Sequence, residues 1–155
     1  SVFGKIPDVK KTVSSDFKTI GSTIVLVGKQ DMKVDLNLLP KVLDKIHKAI
    51  ISGKVLSCHD VSEGGLFTAI FEMCVGGDCG AEIKAQAERL LLETAGCFVV
   101  EVENDEMAKK LFNGIPYEIL GKTTKEEQII VEKLFSVSLD QLQKTWQKPM
   151  KEIFP

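Results

Sequence analysis

The chain has 155 residues, 44% of them hydrophobic and 27% charged, with a formal net charge of −2, and these values fit a soluble globular protein with one ordinary core. Its charges are mixed along the chain, which argues against nucleic-acid and membrane-surface partners, and its apolar runs are too short to span a bilayer. Beginning "SVFGKIPDVKK", it shows neither a signal-peptide core nor an initiator methionine, and reads as a piece of a longer, cytoplasmic chain.

Residues 1–21 read as a polar or extended lead-in, punctuated by Pro7 and Gly21. "STIVLVG" (22–28) is β-branched, apolar and closed by glycine, the pattern of a buried strand. In "LNLLPKVLDKIHKAIISG" (36–53), Leu39, Val42, Leu43, Ile46, Ala49 and Ile50 recur at helical spacing. Pro40 suits the first turn of that helix and Gly53 its C-terminal stop. "KVLSCHD" (54–60) predicts a short strand, and "GGLFTAIFEMCVGG" (64–77) a helix with Leu66, Ala69, Ile70 and Met73 on one face. "GAEIKA" (80–85) alternates as a strand does, and "AERLLLETAG" (87–96) predicts a short helix and loop. "CFVVEVE" (97–103) is a strand whose alternation predicts one more exposed side. "NDEMAKKLFNG" (104–114) is a helix capped by Asn104 or Asp105 and ended by Gly114. "PYEILGKTT" (116–124) and "EQIIVEKL" (127–134) predict a strand pair joined by a short turn. The last stretch, 138–155, is a helix broken near Pro149. Helices alternating with strands up to a final pair predict a mixed sheet covered by helices, in one domain spanning 1–155.

Cysteines stand at 58, 74, 79 and 97 without Cys-x-x-Cys spacing, and only two histidines accompany them. That pattern argues against zinc and for reduced, buried thiols. The lysine pairs at 10–11 and 109–110 and the KEE run at 125–127 read as solvated faces, and His47 as a surface residue.

"SCHDVSEGGLF" (57–67) raises a sharper question, because two adjacent glycines stand where a helix begins. Asp60 and Ser62 are both good N-cap residues, and Asp60 with Glu63 has capping-box spacing. Capping does not explain Gly64 and Gly65, since glycine costs about 1 kcal/mol relative to alanine inside a helix. Two explanations stay open. Bare backbone N–H groups at a helix start suit a phosphate or another anion, or the glycines let a neighbouring segment pack closely. His59 is the one candidate acid or base, and a hydrogen-bonded histidine at a strand end fits it equally. Glu93 and Thr94 form a polar loop before the 97–103 strand, which could line a cleft or simply connect two elements.

In order, "HDVSEGGL", "EM", "GAEI" and "ETAGCFVVEV" resemble the C-terminal part of the phosphoribosylformylglycinamidine synthases, in the aminoimidazole ribonucleotide synthetase superfamily. The lead-in through "IVLVG" and the closing "SLDQLQKTW" are similar as well, so the resemblance covers nearly the whole chain. It implies the second B-type domain of a core built from two similar halves, with 1–21 leading in from the preceding domain. The fold it implies is α+β, a three-layer α/β/α unit with a mixed sheet. The implied activity is conversion of formylglycinamide ribonucleotide to the amidine with ATP, Mg²⁺ and glutamine-derived ammonia, by the whole enzyme and not by this piece alone. The implied partners are the preceding A-type and B-type domains and a glutaminase, with most ATP contacts and the metal sites lying outside this piece. By the motif match, Asp60, Ser62, Gly64, Gly65, Glu93 and Thr94 face the ligand cleft, with His59 beside them. A non-catalytic interaction module of the same complex, or another ATP-dependent member of the superfamily, are the competing readings. The sequence departs from the family in lacking a Gly-Gly-Ser stretch after the first strand, in Cys97 where an arginine is common, and in Ser15 where a methionine is common. The exposed face that docks the missing domains is expected to carry a large apolar patch.

Overall fold

A computed structural model describes residues 4–153. The strands are β1 (Thr23–Val27), β2 (Val55–Asp60), β3 (Gly80–Ile83), β4 (Phe98–Val102), β5 (Tyr117–Thr124), β6 (Gln128–Val131) and β7 (Phe135–Ser138). The helices are α1 (Leu39–Ile51), α2 (Gly65–Gly77), α3 (Ala87–Leu90), α4 (Asp105–Phe112) and α5 (Leu139–Ile153). One seven-stranded sheet runs in the order β2-β4-β1-β5-β3-β6-β7, antiparallel throughout except for the parallel β3–β6 pair. This is the mixed α+β sheet that the sequence predicts.

Helices cover both faces, and β1 shows why. Successive side chains of a strand point to opposite faces. Ile24 and Leu26 join α2 in one core cluster, with Ala81, Ile83, Val99, Leu120, Ile129 and Val131 from the other strands. Val25 and Val27 join α1 and α4 in the other, with Val100 and Val102. β1 is buried at every position, which a continuous apolar run announces. Each fully buried Leu, Ile or Val contributes on the order of 1.5–3 kcal/mol, so the two clusters dominate stability. On the second face, α1 buries Val42, Ile46 and Ala49, and α4 buries Ala108 and Phe112. Asn104 caps α4 by accepting the Met107 N–H at 2.9 Å. Among the described residues no helix is long and apolar enough to cross a membrane.

Four expectations change. The segments 116–124 and 127–134 do not pair with each other, because β3 lies between β5 and β6. The 127–134 run stops at Val131, Lys133 turns the chain with φ of +62°, and the missed β7 returns as the hairpin partner of β6. The 97–103 strand has no exposed side: Val99, Val100, Glu101 and Val102 are all buried. The alternation there is real, but Glu101 is the polar member and is buried among donors. The last helix is not broken at Pro149, which lies inside α5. The neighbouring turns are exposed, so the carbonyl that Pro149 cannot bond faces solvent.

Large apolar side chains are exposed on several elements. Trp146, Met150 and Ile153 are exposed on α5, Met32 and Leu36 on the loop after β1, and Ile6 and Val9 on the lead-in.

Candidate functional site

The turn between β2 and α2 sits at one end of the sheet, beside the loop that leads into β4. The Val61 N–H donates to the Cys97 carbonyl at 2.9 Å, which joins the two loops. Glu93 is brought to the turn as expected, but as a backbone partner: its Oε1 accepts the Gly64 N–H at 3.0 Å. The Gly65 N–H donates to the Ser62 carbonyl at 3.0 Å. Neither glycine N–H is therefore free for a ligand as the chain is folded.

The cap also differs from expectation. Gly64 occupies the N-cap position in a left-handed conformation with φ of +76°, and no side chain caps the helix. Asp60 still belongs to β2, and Ser62 contributes its carbonyl rather than its hydroxyl. Gly65 follows at φ +70°, so two successive residues take a conformation that other residues resist. Space is short as well. A Cβ on Gly65 would lie 2.7–2.9 Å from the backbone of Leu90 and Leu91, and one on Gly64 would lie 2.2 Å from the Thr68 hydroxyl. Close approach by a protein segment thus accounts for the glycine pair. Because the Ser62 hydroxyl makes no capping bond, Ser62→Ala is expected to change stability by less than about 0.5 kcal/mol in urea unfolding. A loss near 1 kcal/mol would restore Ser62 as the cap.

His59 is held on both sides. Its Nδ1 lies 2.8 Å from the Asp60 carbonyl, and its Nε2 lies 2.9 Å from Glu72 Oε2 on α2. Both nitrogens have partners within the chain, which is the arrangement of a structural strand-end histidine. Thr94 is buried, and its hydroxyl has no hydrogen-bond partner among oxygen and nitrogen atoms.

None of the thiols is poised as a nucleophile. Burial, with a smaller push from Asp60, raises the Cys58 pKa to about 12, and burial, then Glu101 and Asp78, raises Cys79 to about 11. Burial also drives Cys74 and Cys97 upward. The native state keeps these thiols neutral, so their contribution to stability is intact below the ordinary value of 9.0 and declines as pH rises toward 11–12. Alkylation by iodoacetamide at pH 8 is expected to be roughly 100-fold slower in native protein than in urea-unfolded protein. Equal rates would contradict this burial.

One feature escaped the sequence reading. Arg89, the only arginine in the chain, bonds Gln30 Oε1 at 3.0 Å and pairs with Glu118 at 2.8 Å. Gln30 returns its amide to the carbonyls of Arg89 and Leu92 at 2.7 and 3.3 Å. This network ties the loop carrying Glu93 and Thr94 to the ends of β1 and β5. A solitary arginine among many lysines was the available signal, since a rigid fork orders a loop better than a flexible ammonium. Nearby, a cavity of about 30 Å³ lies between the 29–35 loop and Ala95–Gly96. It has room for about one water and is far below the roughly 300 Å³ of a small-molecule site. Among the described residues no three His, Cys, Asp or Glu side chains come together as a group that could hold a metal ion.

Residues 12–133 match the family described as AIR synthase related protein, C-terminal domain. The Phosphoribosylformylglycinamidine synthase subunit PurL of Deinococcus radiodurans is 29% identical over 189 aligned residues, covering 97% of this chain and 25% of that protein. The chain therefore spans about a quarter of the length of the curated relative it matches. Thermotoga maritima PurL complexed with FGAR is similar in structure, with a TM-score of 0.74 and 13% identity over 86% of this chain and 30% of that one. The same protein complexed with ATP gives a TM-score of 0.69 and 15% identity, covering 86% and 27%. At these identities the structures speak for the fold, while the family match rests on sequence across most of the chain. This chain belongs to the family of AIR synthase related proteins, as their C-terminal domain.

Proposed function

We propose that this chain is the C-terminal B-type domain of a phosphoribosylformylglycinamidine synthase, and that it closes one side of a ligand cleft without carrying the chemistry itself. The observation that supports this most is the family match over residues 12–133, joined to a PurL relative of which the chain accounts for a quarter. The whole protein would act as an ATP-dependent C–N ligase of purine biosynthesis in the cytoplasm. It would join glutamine-derived ammonia to formylglycinamide ribonucleotide. ATP and Mg²⁺ would be held mainly by the A-type domains, and a glutaminase would supply the ammonia. Asp60, Ser62, Gly64 and Glu93 would form this domain's rim of the cleft, with Gly65 and Thr94 buried behind them. The Asp60 and Ser62 side chains are exposed there, Asp60 Oδ1 standing 3.4 Å from His59 Nδ1, whereas an anion reaching Gly64 would have to displace Glu93.

That internal carboxylate favours a second reading, in which the domain serves only as a docking module. One experiment separates the two. The full-length protein is assayed with ATP, Mg²⁺, formylglycinamide ribonucleotide and ammonium chloride, in wild-type form and as Asp60→Ala. Turnover by the wild type and a KM raised about tenfold or more in the variant would support the cleft role. Turnover with an unchanged KM would leave the docking module, and no turnover of this substrate would sink the synthase assignment. Residues 1–155 alone are expected to show no turnover, because phosphoryl chemistry needs a positioned metal and phosphates.

A further inference from the structure

Glu101 is fully buried, yet among the described residues no Lys, Arg or His forms an ion pair with it. Four donors surround it instead. Its Oε2 accepts from the Lys18 N–H at 2.8 Å and from Ser57 Oγ at 2.9 Å. Its Oε1 accepts from the Thr19 N–H at 2.9 Å and from Ser22 Oγ at 2.6 Å. Each carboxyl oxygen thus meets one backbone N–H and one serine hydroxyl, whereas a glutamine would turn an NH₂ group toward two of these partners. Burying a carboxyl group is expensive unless its hydrogen bonds are complete, so the residue is conspicuous in a core position.

Three of the four donors belong to one short segment, Lys18–Ser22, by which the chain reaches β1. The same segment is gripped from its other side by Thr123 on β5. Thr123 Oγ1 donates to the Thr19 carbonyl at 2.6 Å, and the Gly21 N–H donates to the Thr123 carbonyl at 3.0 Å. Phe17 is buried, and its N–H donates to the Met73 carbonyl at 3.0 Å. Before it the grip weakens: residues 4–12 are exposed, and their hydrogen bonds lie within the segment itself.

We propose that Glu101 is a latch that fastens the incoming segment Phe17–Ser22 to this domain and places the pivot of the chain before it, within residues 4–12. The role rests on the proposal above that the chain is a domain of a longer protein. A buried carboxylate suits the task better than apolar packing would. It accepts directly from backbone N–H groups, so it fixes the path of the main chain and not only the position of side chains.

The test is limited trypsin digestion of the full-length protein, read by mass spectrometry, with Glu101→Gln against wild type. The expected result is a new cut after Lys18, at least about tenfold faster than in wild type, while the strands of the sheet stay intact. Sparing of Lys18 in the variant would overturn the latch. So would uniform digestion of the whole domain, which would make Glu101 an ordinary core residue. Should the glutamine variant fail to fold, Ser22→Ala decides the matter, since it removes one hydrogen-bond partner and leaves the carboxyl group in place. A selective rise in cutting at Lys18 supports the latch, and unchanged or uniform cutting overturns it. An active enzyme with Lys18 spared in the variants refutes the latch alone. Selective cutting in an inactive full-length protein refutes the synthase assignment alone.

Discussion

Gly65→Val is expected to destabilise the protein by about 3 kcal/mol, measured as a lowered urea midpoint at unchanged m-value. Two costs add. A non-glycine residue in the left-handed region costs about 1–2 kcal/mol, and a β-branched one stands at the upper end. The new Cβ would also press on the backbone of Leu90 and Leu91 at 2.7–2.9 Å, where no flexible side chain can swing aside. Forcing such a contact costs typically 1–3 kcal/mol. Because Gly65 offers no free N–H, the loss should appear in stability before it appears in ligand affinity. Unchanged stability together with abolished nucleotide binding in the full-length protein would reverse this assignment and return the glycine to a ligand.

Gly121→Ala is expected to be at least as damaging, about 3 kcal/mol, through the sheet itself. Gly121 sits where the register of β5 slips against β1, with Ile24 opposite Gly121 and Val25 opposite Ile119. On its other side it faces β3, where a Cβ would lie 1.9 Å from the Glu82 carbonyl oxygen. That oxygen belongs to the β3–β5 ladder and cannot retreat without opening it. The junction matters because β5 and β3 are the only contact line within the sheet between β2-β4-β1-β5 and β3-β6-β7. Urea unfolding with a separate probe on each side, Tyr117 fluorescence and exchange of the Ile129 amide, should show the loss. A variant within 0.5 kcal/mol of wild type by both probes, the scatter of an ordinary surface change, would show that the bulge relaxes more readily than its geometry implies.

What could be read in the sequence follows the range of each signal. The buried run "TIVLV", the helical spacing from Leu39 to Ile50 and the cap at Asn104 depend on near neighbours, and each element lies where the pattern puts it. β3 slipping between β5 and β6 depends on residues far apart, and nothing local in "EILGKTTKEEQIIV" distinguishes that arrangement from a hairpin. β7 is four residues, "FSVS", too short to show a period. At the turn, residue types signalled an anion site and a cap, and both signals were ambiguous for the same reason. A short polar side chain or a glycine can serve a ligand, a cap or a neighbouring loop alike. Glu93 was placed beside the turn through the resemblance, yet its role as acceptor for Gly64 needed coordinates. Glu101 was hidden because alternation marks a polar residue as outward, unless donors from elsewhere in the chain meet it.

The strand order also governs how the chain must be made. Within this domain β1 is the first strand to be synthesised, but its neighbours are β4 and β5, so it has no partner until the chain has been translated past Val102 and keeps one bare edge until Thr124. β2 likewise waits for β4, and β3 for β5 and β6. Among the described residues only β6 and β7 form a local hairpin. During that interval the nascent chain carries apolar strands with unpaired edges, the form most prone to aggregate and to recruit chaperones. A topology with so many distant pairings folds slowly for its size, because loop closure precedes the contacts that repay it.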